Sequence, residues 1–184
     1  MSERTPSAAL SLVPGGAVFH PLAAERDEAA AAILAAATGA GTVEEGRRRL
    51  AAARTDDGSA VYGLTSGGDL VAVYILTKVH LAMELSAVAV AEGHRRRGHG
   101  RAALEDALRR SGNRPLVAET DDDGVGFYRA CGFKLVGKRR GPGGVTRYRL
   151  GWHAPRHPAA TGSAATGPAT TSPTGSGSGE GGRR

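Results

Sequence analysis

The stretch Leu85-Ser86-Ala87-Val88-Ala89-Val90, followed shortly by Arg95-Arg96-Arg97-Gly98-His99-Gly100-Arg101, decides the reading of this chain. Its first part is an apolar run of strand length. Its second part is a glycine-spaced basic turn that opens an Ala/Leu-rich segment of helical pattern. Strand, turn and helix start together make an arrangement that holds a phosphate. The first-turn N–H groups of a helix lack partners within it, and the helix dipole favours negative charge there by roughly 0.3–1 kcal/mol. Gly98 and Gly100 bring no Cβ, so the backbone can approach an anion closely. The stretch predicts a site for a phosphorylated ligand.

Outward from it, strand and helix patterns alternate. Ala17-Val18-Phe19 predicts a short first strand, and Glu25 to Ala37 an Ala-rich helix. Thr42 predicts the cap of a second helix, with Glu45 completing a capping box. Ser59 to Leu64 and Asp69 to Val79 read as strands joined across Ser66-Gly67-Gly68, and Met83 to Val90 as another. Residues 100–111 predict a helix supported by Glu105–Arg109 and Asp106–Arg110 pairs and closed by Gly112. Leu116-Val117-Ala118 is a short buried strand. Asp121-Asp122-Asp123 then caps a helix ending at Gly132. Phe133 to Lys138 and Val145 to Leu150 close the pattern as a hairpin across Gly141-Pro142-Gly143-Gly144. Hairpins first, then strands alternating with helices, predict an α/β (α+β) fold on a mixed sheet.

A length of 184 residues suits one domain with unstructured flanks. Residues 1–14 are Ser/Ala/Pro-rich and 153–184 are almost wholly Gly, Ser, Thr, Pro and Ala, so both are expected to be disordered and the domain to span 15–152. Aromatic residues are only 4% of the chain, which predicts a modest core of small side chains. A net charge of +6 invites nucleic-acid readings, but the basic stretches lack interleaved aromatics or a reading motif, which argues against that class. The single cysteine, Cys131, forms no internal disulfide and reads as a packed thiol in a reducing compartment. With no signal-peptide pattern and no apolar run of the roughly 18–20 residues that span a bilayer, the expectation is a cytoplasmic protein without membrane partners. No Cys/His/Asp cluster has metal spacing, so no metal is expected; His94 and His99 read as loop or helix-start residues. Arg47-Arg48-Arg49 reads as the exposed side of a helix.

The glycine spacing alone admits a second ligand. Gly98-x-Gly100-x-x-Ala103, with Glu119 downstream, is a degenerate dinucleotide fingerprint. Two details oppose it: Ala91 to Arg97 separate the strand from the first glycine, and too little chain follows for a doubly wound sheet. A Walker-type loop fails because no Gly-Lys-Ser/Thr follows.

At these residues the chain resembles the GNAT-type N-acetyltransferases. Val88-Ala89-Val90 followed by Arg95-x-x-Gly98-x-Gly100 is similar to the family's central strand and Gln/Arg-x-x-Gly-x-Gly/Ala turn. Phe127-Tyr128-Arg129-Ala130-Cys131-Gly132-Phe133 resembles its second motif, a Tyr-bearing helix closing at Gly-Phe. The resemblance implies a mostly antiparallel GNAT-like sheet flanked by helices, with acetyl-CoA as co-substrate. It implies that the backbone of Val88, Ala89 and Val90 pairs with the pantetheine amides. It also implies a phosphate site at Arg95, Arg96, Arg97, Gly98, His99, Gly100 and Arg101. There the N–H groups from Arg96 to Arg101 surround the pyrophosphate, and the side chains of the three arginines either add charge near the phosphates or face solvent. Arg96 stands where the family often has Gly, and Asp121 and Gly124 where it usually has Asn and Ala.

In the implied reaction a neutral amine attacks the thioester carbonyl, a strand N–H near Val88 or Val90 steadies the oxyanion, and CoA thiolate leaves. Tyr128 occupies the position of the acid that protonates the thiolate. Glu84 resembles the base of some family members; Glu119 and ordered water are the alternatives. The expected function is N-acetyl transfer to a primary amine in a ternary complex. The alternative is an inactive acyl-CoA-binding regulatory module. A protein lysine, a protein N-terminus, an amino acid and a small xenobiotic amine all stay open as acceptors, and so does a homodimer.

Overall fold

A computed structural model of the protein describes residues 17–37 and 41–152. The flanks expected at 1–14 and 153–184 lie outside the described residues. The order of elements is β1 (His20–Pro21), α1 (Asp27–Ala37), α2 (Val43–Thr55), β2 (Ser59–Ser66), β3 (Asp69–Val79), β4 (Ala82–Val90), α3 (His99–Ser111), β5 (Leu116–Thr120), α4 (Asp122–Ala130), β6 (Lys134–Arg140) and β7 (Thr146–Trp152). The seven strands form one sheet in the order β1-β2-β3-β4-β5-β7-β6, antiparallel except for the β4–β5 pair. That order matches the mixed, mostly antiparallel sheet expected, and it excludes the doubly wound dinucleotide fold.

Alternation along β3 builds two cores. Tyr74 and Leu76 point to one face, where Ala102, Ala103, Leu104 and Ala107 of α3 and Tyr128 of α4 meet Leu85, Leu116, Ala118 and Leu150. Val73 and Ile75 point to the other, where Ala30, Ala31, Ile33 and Leu34 of α1 and Leu50 and Ala53 of α2 cover Val61 and Ala89. Alanine supplies much of each helix face, as the low aromatic content predicts.

Local details depart from the sequence pattern in three places. The first strand is His20–Pro21 rather than Ala17 to Phe19, because Phe19 is buried as a core anchor while His20 and Pro21 pair with Gly63 and Tyr62. Thr42 Oγ1 accepts the Glu45 N–H at 3.2 Å, as a cap should, but the Glu45 carboxylate turns to Arg48 and Arg49, so only half a capping box forms. Arg109 pairs with Asp106 at 2.7 Å and not with Glu105, because Asp106 is buried and also binds Arg110 at 2.8 Å and the Tyr74 hydroxyl at 2.5 Å.

Candidate active site

The site begins with one extra residue in β4. Ile75 pairs with Ala87 and Leu76 with Leu85, which leaves Ser86 as a bulge. A bulge bends its strand and increases its twist. β4 therefore stays with β5 only from Met83 to Leu85, opposite Leu116 to Ala118, and beyond that Glu119 and Thr120 pair only with β7. A gap opens in the sheet past Leu85.

The ladder with β3 fixes what faces that gap. The Ala91 N–H donates to Val71 O at 2.9 Å. Bonded pairs alternate in an antiparallel ladder, so Ala89 and Ala87 also turn their polar groups towards β3. The N–H and C=O groups of Val88 and Val90 then point into the gap, and among the described residues none of them has a strand partner there.

The loop that follows carries the backbone from Val90 to α3. Arg96 lies in the left-handed region at φ 61°, and Gly98 at φ 86° is the residue before α3. Among the described residues no side chain caps that helix, and its first turn has no acidic residue. Its first internal bond runs from the Ala102 N–H to Gly98 O at 3.0 Å, so the N–H groups of His99, Gly100 and Arg101 remain outside the helix ladder.

The basic side chains divide into two kinds. Arg95 donates to Ala36 O at 2.6 Å and Val90 O at 3.3 Å, tying the loop to the end of α1. Arg101 donates to Ala130 O at 3.1 Å, joining the start of α3 to the end of α4. Arg96 and Arg97 are exposed. His99 keeps a buried Nδ1 without a partner among the described residues, and burial, then His94 and Arg97, lower its pKa.

On α4, Asp121 Oδ1 accepts the Gly124 N–H at 3.3 Å, so this residue serves as a helix cap. The helix ends in a Schellman motif. The Phe133 N–H reaches Tyr128 O at 3.1 Å, the Gly132 N–H reaches Arg129 O at 3.0 Å, and Gly132 has φ 93°. The apolar contact that accompanies this motif is Phe133 edge-on to Tyr128, with centroids 5.5 Å apart. The Gly-Phe pair thus orients the tyrosine. Tyr128 is 6% exposed in the same core as Val88 and Val90. Burial pushes its pKa up, keeping the hydroxyl protonated at neutral pH, and no described side chain accepts its proton.

The two candidate carboxylates part company. Glu119 is gripped by Arg139 at 2.8 Å and 3.2 Å and by Arg147 at 3.4 Å. Glu84 forms no ion pair among the described residues and sits opposite Thr77 in the ladder. Leu76 and Leu85, the neighbouring pair, face the α3 side, so Thr77 and Glu84 face the α2 side. Glu84 and Tyr128 therefore lie on opposite faces of β4.

Other singled-out groups take ordinary places. Burial raises the pKa of Cys131, in keeping with a packed thiol. Arg47 binds Glu28 of α1 and Glu44 of its own helix, and Arg48 and Arg49 bind Glu45. Among the described residues no cluster of His, Cys, Asp or Glu has the makings of a metal site, and no helix is long and apolar enough to cross a membrane. The sequence reading missed a groove of about 410 Å³ on the α2 face, lined in part by Asp56, Ser59, Thr77 and Ser86. Its only sequence signal is a hydroxyl at each of three strand positions, and these meet only once the strand register is known.

Residues 25–133 match the model of the acetyltransferase (GNAT) family. The fold is shared with the ribosomal-protein-S18-alanine N-acetyltransferase from Escherichia coli, at 22% identity over 74% of this chain and 92% of that one, TM-score 0.63. It is shared with a GNAT family acetyltransferase from Elizabethkingia anophelis with acetyl-CoA bound, at 18% identity, 74% and 97% coverage, TM-score 0.61. An aminoglycoside 6′-N-acetyltransferase complexed with coenzyme A is similar as well, at 13% identity, 76% and 99% coverage, TM-score 0.62. No curated protein matches the sequence. A family match over more than half of the chain, on a sheet split at the bulge of its central strand, settles the kinship: the chain belongs to the GNAT acetyltransferase family.

Proposed function

We propose that the protein is an acetyl-CoA-dependent N-acetyltransferase that passes the acetyl group directly to a primary amine within a ternary complex. The observation that carries this reading is the gap beside Val88 and Val90, which ends at the uncapped start of α3. A ligand with amides along one part and phosphates at one end satisfies both features, and acetyl-CoA or CoA is bound in two of the similar structures. In this reading Val88, Ala89 and Val90 supply the strand edge. The backbone from Arg95 to Arg101 receives the pyrophosphate, with Arg96 and Arg97 free to add charge and Arg95 acting through its backbone alone.

Roles follow from the two faces of β4. The amine attacks the thioester carbonyl, whose oxygen gathers charge against the N–H of Val88 or Val90. Glu84 takes the ammonium proton on the α2 side. Tyr128 gives a proton to the departing thiolate on the α3 side. We assign the activity to residues 15–152 and place it in the cytoplasm, where the lone thiol Cys131 stays reduced.

Release of CoA thiol on mixing the protein with acetyl-CoA and a panel of amines tests the proposal. Turnover with at least one primary amine is expected. Tight acetyl-CoA binding with no turnover on any amine would instead make the protein an acyl-CoA-binding module.

A further inference from the structure

Four polar side chains cross β2, β3 and β4 in one unbroken chain on the α2 face. Ser59 Oγ donates to Asp56 Oδ2 at 2.6 Å, Ser59 and Thr77 hydroxyls lie 2.8 Å apart, and Ser86 Oγ lies 2.8 Å from Thr77 Oγ1. Proton accounting gives the chain a single direction. The Asp56 carboxylate, whose pKa is lowered by the Ser59 hydroxyl and the Gly58 N–H, can only accept. Ser59 spends its one proton on Asp56, so Thr77 must donate to Ser59, and Ser86 must donate to Thr77. Each hydroxyl is polarised by the next, and the carboxylate polarises them all.

Ser86 thereby ends the chain with its proton committed and its lone pairs open. It is the bulge residue of β4, at the point where the sheet splits, and it is exposed on the groove. Apolar walls from Ala52, Ala53, Ile75 and Ala87 bound the same groove. Arg49, also on its rim, has its guanidinium tied to Glu45 at 2.9 Å.

We propose that this groove is the binding site of the acceptor and that Ser86 Oγ accepts an N–H of its amine. The hydroxyl chain to Asp56 makes that contact acceptor-only. The site therefore takes a slim molecule with one amine on an apolar body, and gives a carbonyl or ether oxygen no donor at Ser86. Thr77 and Asp56 act as positioning residues. This inference rests on the acetyltransferase reading above, and it leaves proton removal to Glu84, which lies opposite Thr77 on the same face.

The test uses the full chain and the best amine found by thiol release. Ser86→Ala removes the contact, while Thr77→Val cuts the chain with little change of volume and frees the Ser86 proton. Each is expected to raise KM for the amine about tenfold or more, the scale of a lost hydrogen bond to a charged donor. KM for acetyl-CoA should stay within about twofold, because the proposed cofactor contacts are backbone groups of Val88 to Val90 and of Arg95 to Arg101, which neither substitution alters. Thr77→Ser should restore the wild-type amine KM, and thermal unfolding reports whether each variant is folded. Unchanged amine KM in folded Ser86→Ala and Thr77→Val, with an active wild type, overturns this inference alone. A wild type that acetylates no amine overturns the acetyltransferase reading and this inference with it.

Discussion

Gly100 lies directly against the ring of Phe127: a Cβ on residue 100 would come within 3.2 Å of Phe127 Cζ and 3.9 Å of Val90 Cγ2. The start of α3, the body of α4 and the end of β4 thus meet at one point. Gly100→Ala must push the ring aside by a few tenths of an ångström beside the open N–H groups. Alanine also favours a helix by about 1 kcal/mol over glycine, which offsets the crowding. The expected outcome is a KM for acetyl-CoA raised about tenfold with unfolding free energy changed by less than about 1 kcal/mol. Steady-state kinetics and denaturant titration check the two halves separately.

Tyr128→Phe removes a hydroxyl that no described side chain binds and that is not among the buried unpartnered polar atoms, so the fold loses little. If that hydroxyl protonates the thiolate, kcat falls by about 10²–10⁴ while KM for acetyl-CoA stays within about twofold. Unchanged turnover would remove the acid role.

Asp106 is a buried carboxylate shared by Tyr74, Arg109 and Arg110. Asp106→Asn keeps the shape but presents an N–H group to one of those cations. A loss of about 2–3 kcal/mol in unfolding free energy is expected, the scale of hydrogen bonds to charged groups. Tyr74→Phe should cost only about 1 kcal/mol, because both arginines still satisfy the carboxylate.

His99 titrates below the ordinary histidine range because it is partly desolvated and faces His94 and Arg97. Since the unfolded chain binds this proton more readily, stability from this group is complete above the ordinary value near pH 6.5 and declines as pH falls towards the depressed folded value. His99→Gln should flatten that decline. A phosphate at the start of α3 would favour the imidazolium, so NMR titration should show the His99 pKa rising when acetyl-CoA binds.

Much of this architecture was legible because it follows from local pattern. β3 runs from Asp69 to Val79 as the alternation predicts, its turn glycines both have positive φ, and the Thr42 and Asp121 caps form. What failed was long-range. Asp106 reads as a surface partner of Arg110 at helical spacing, and only the approach of Tyr74 from β3 makes it a buried centre. The bulge at Ser86 changes which residues share a face, and no residue type in that run announces it. Ser59, Thr77 and Ser86 are far apart in the chain, so their contact depends on register. The Arg95 side chain reaches Ala36 on another element, a contact that its own run does not announce.

The split beside Val88 and Val90 leaves one ladder half-built inside the sheet. Exposed strand edges usually attract other polypeptides, but this one opens only where two joined strands diverge, with α3 and α4 beside it. A narrow chain of amides can complete it, whereas a second β-strand would have to displace those helices. On the proposed reading the last rung of secondary structure would come from solution, and the domain's rigidity would then follow the supply of a small metabolite.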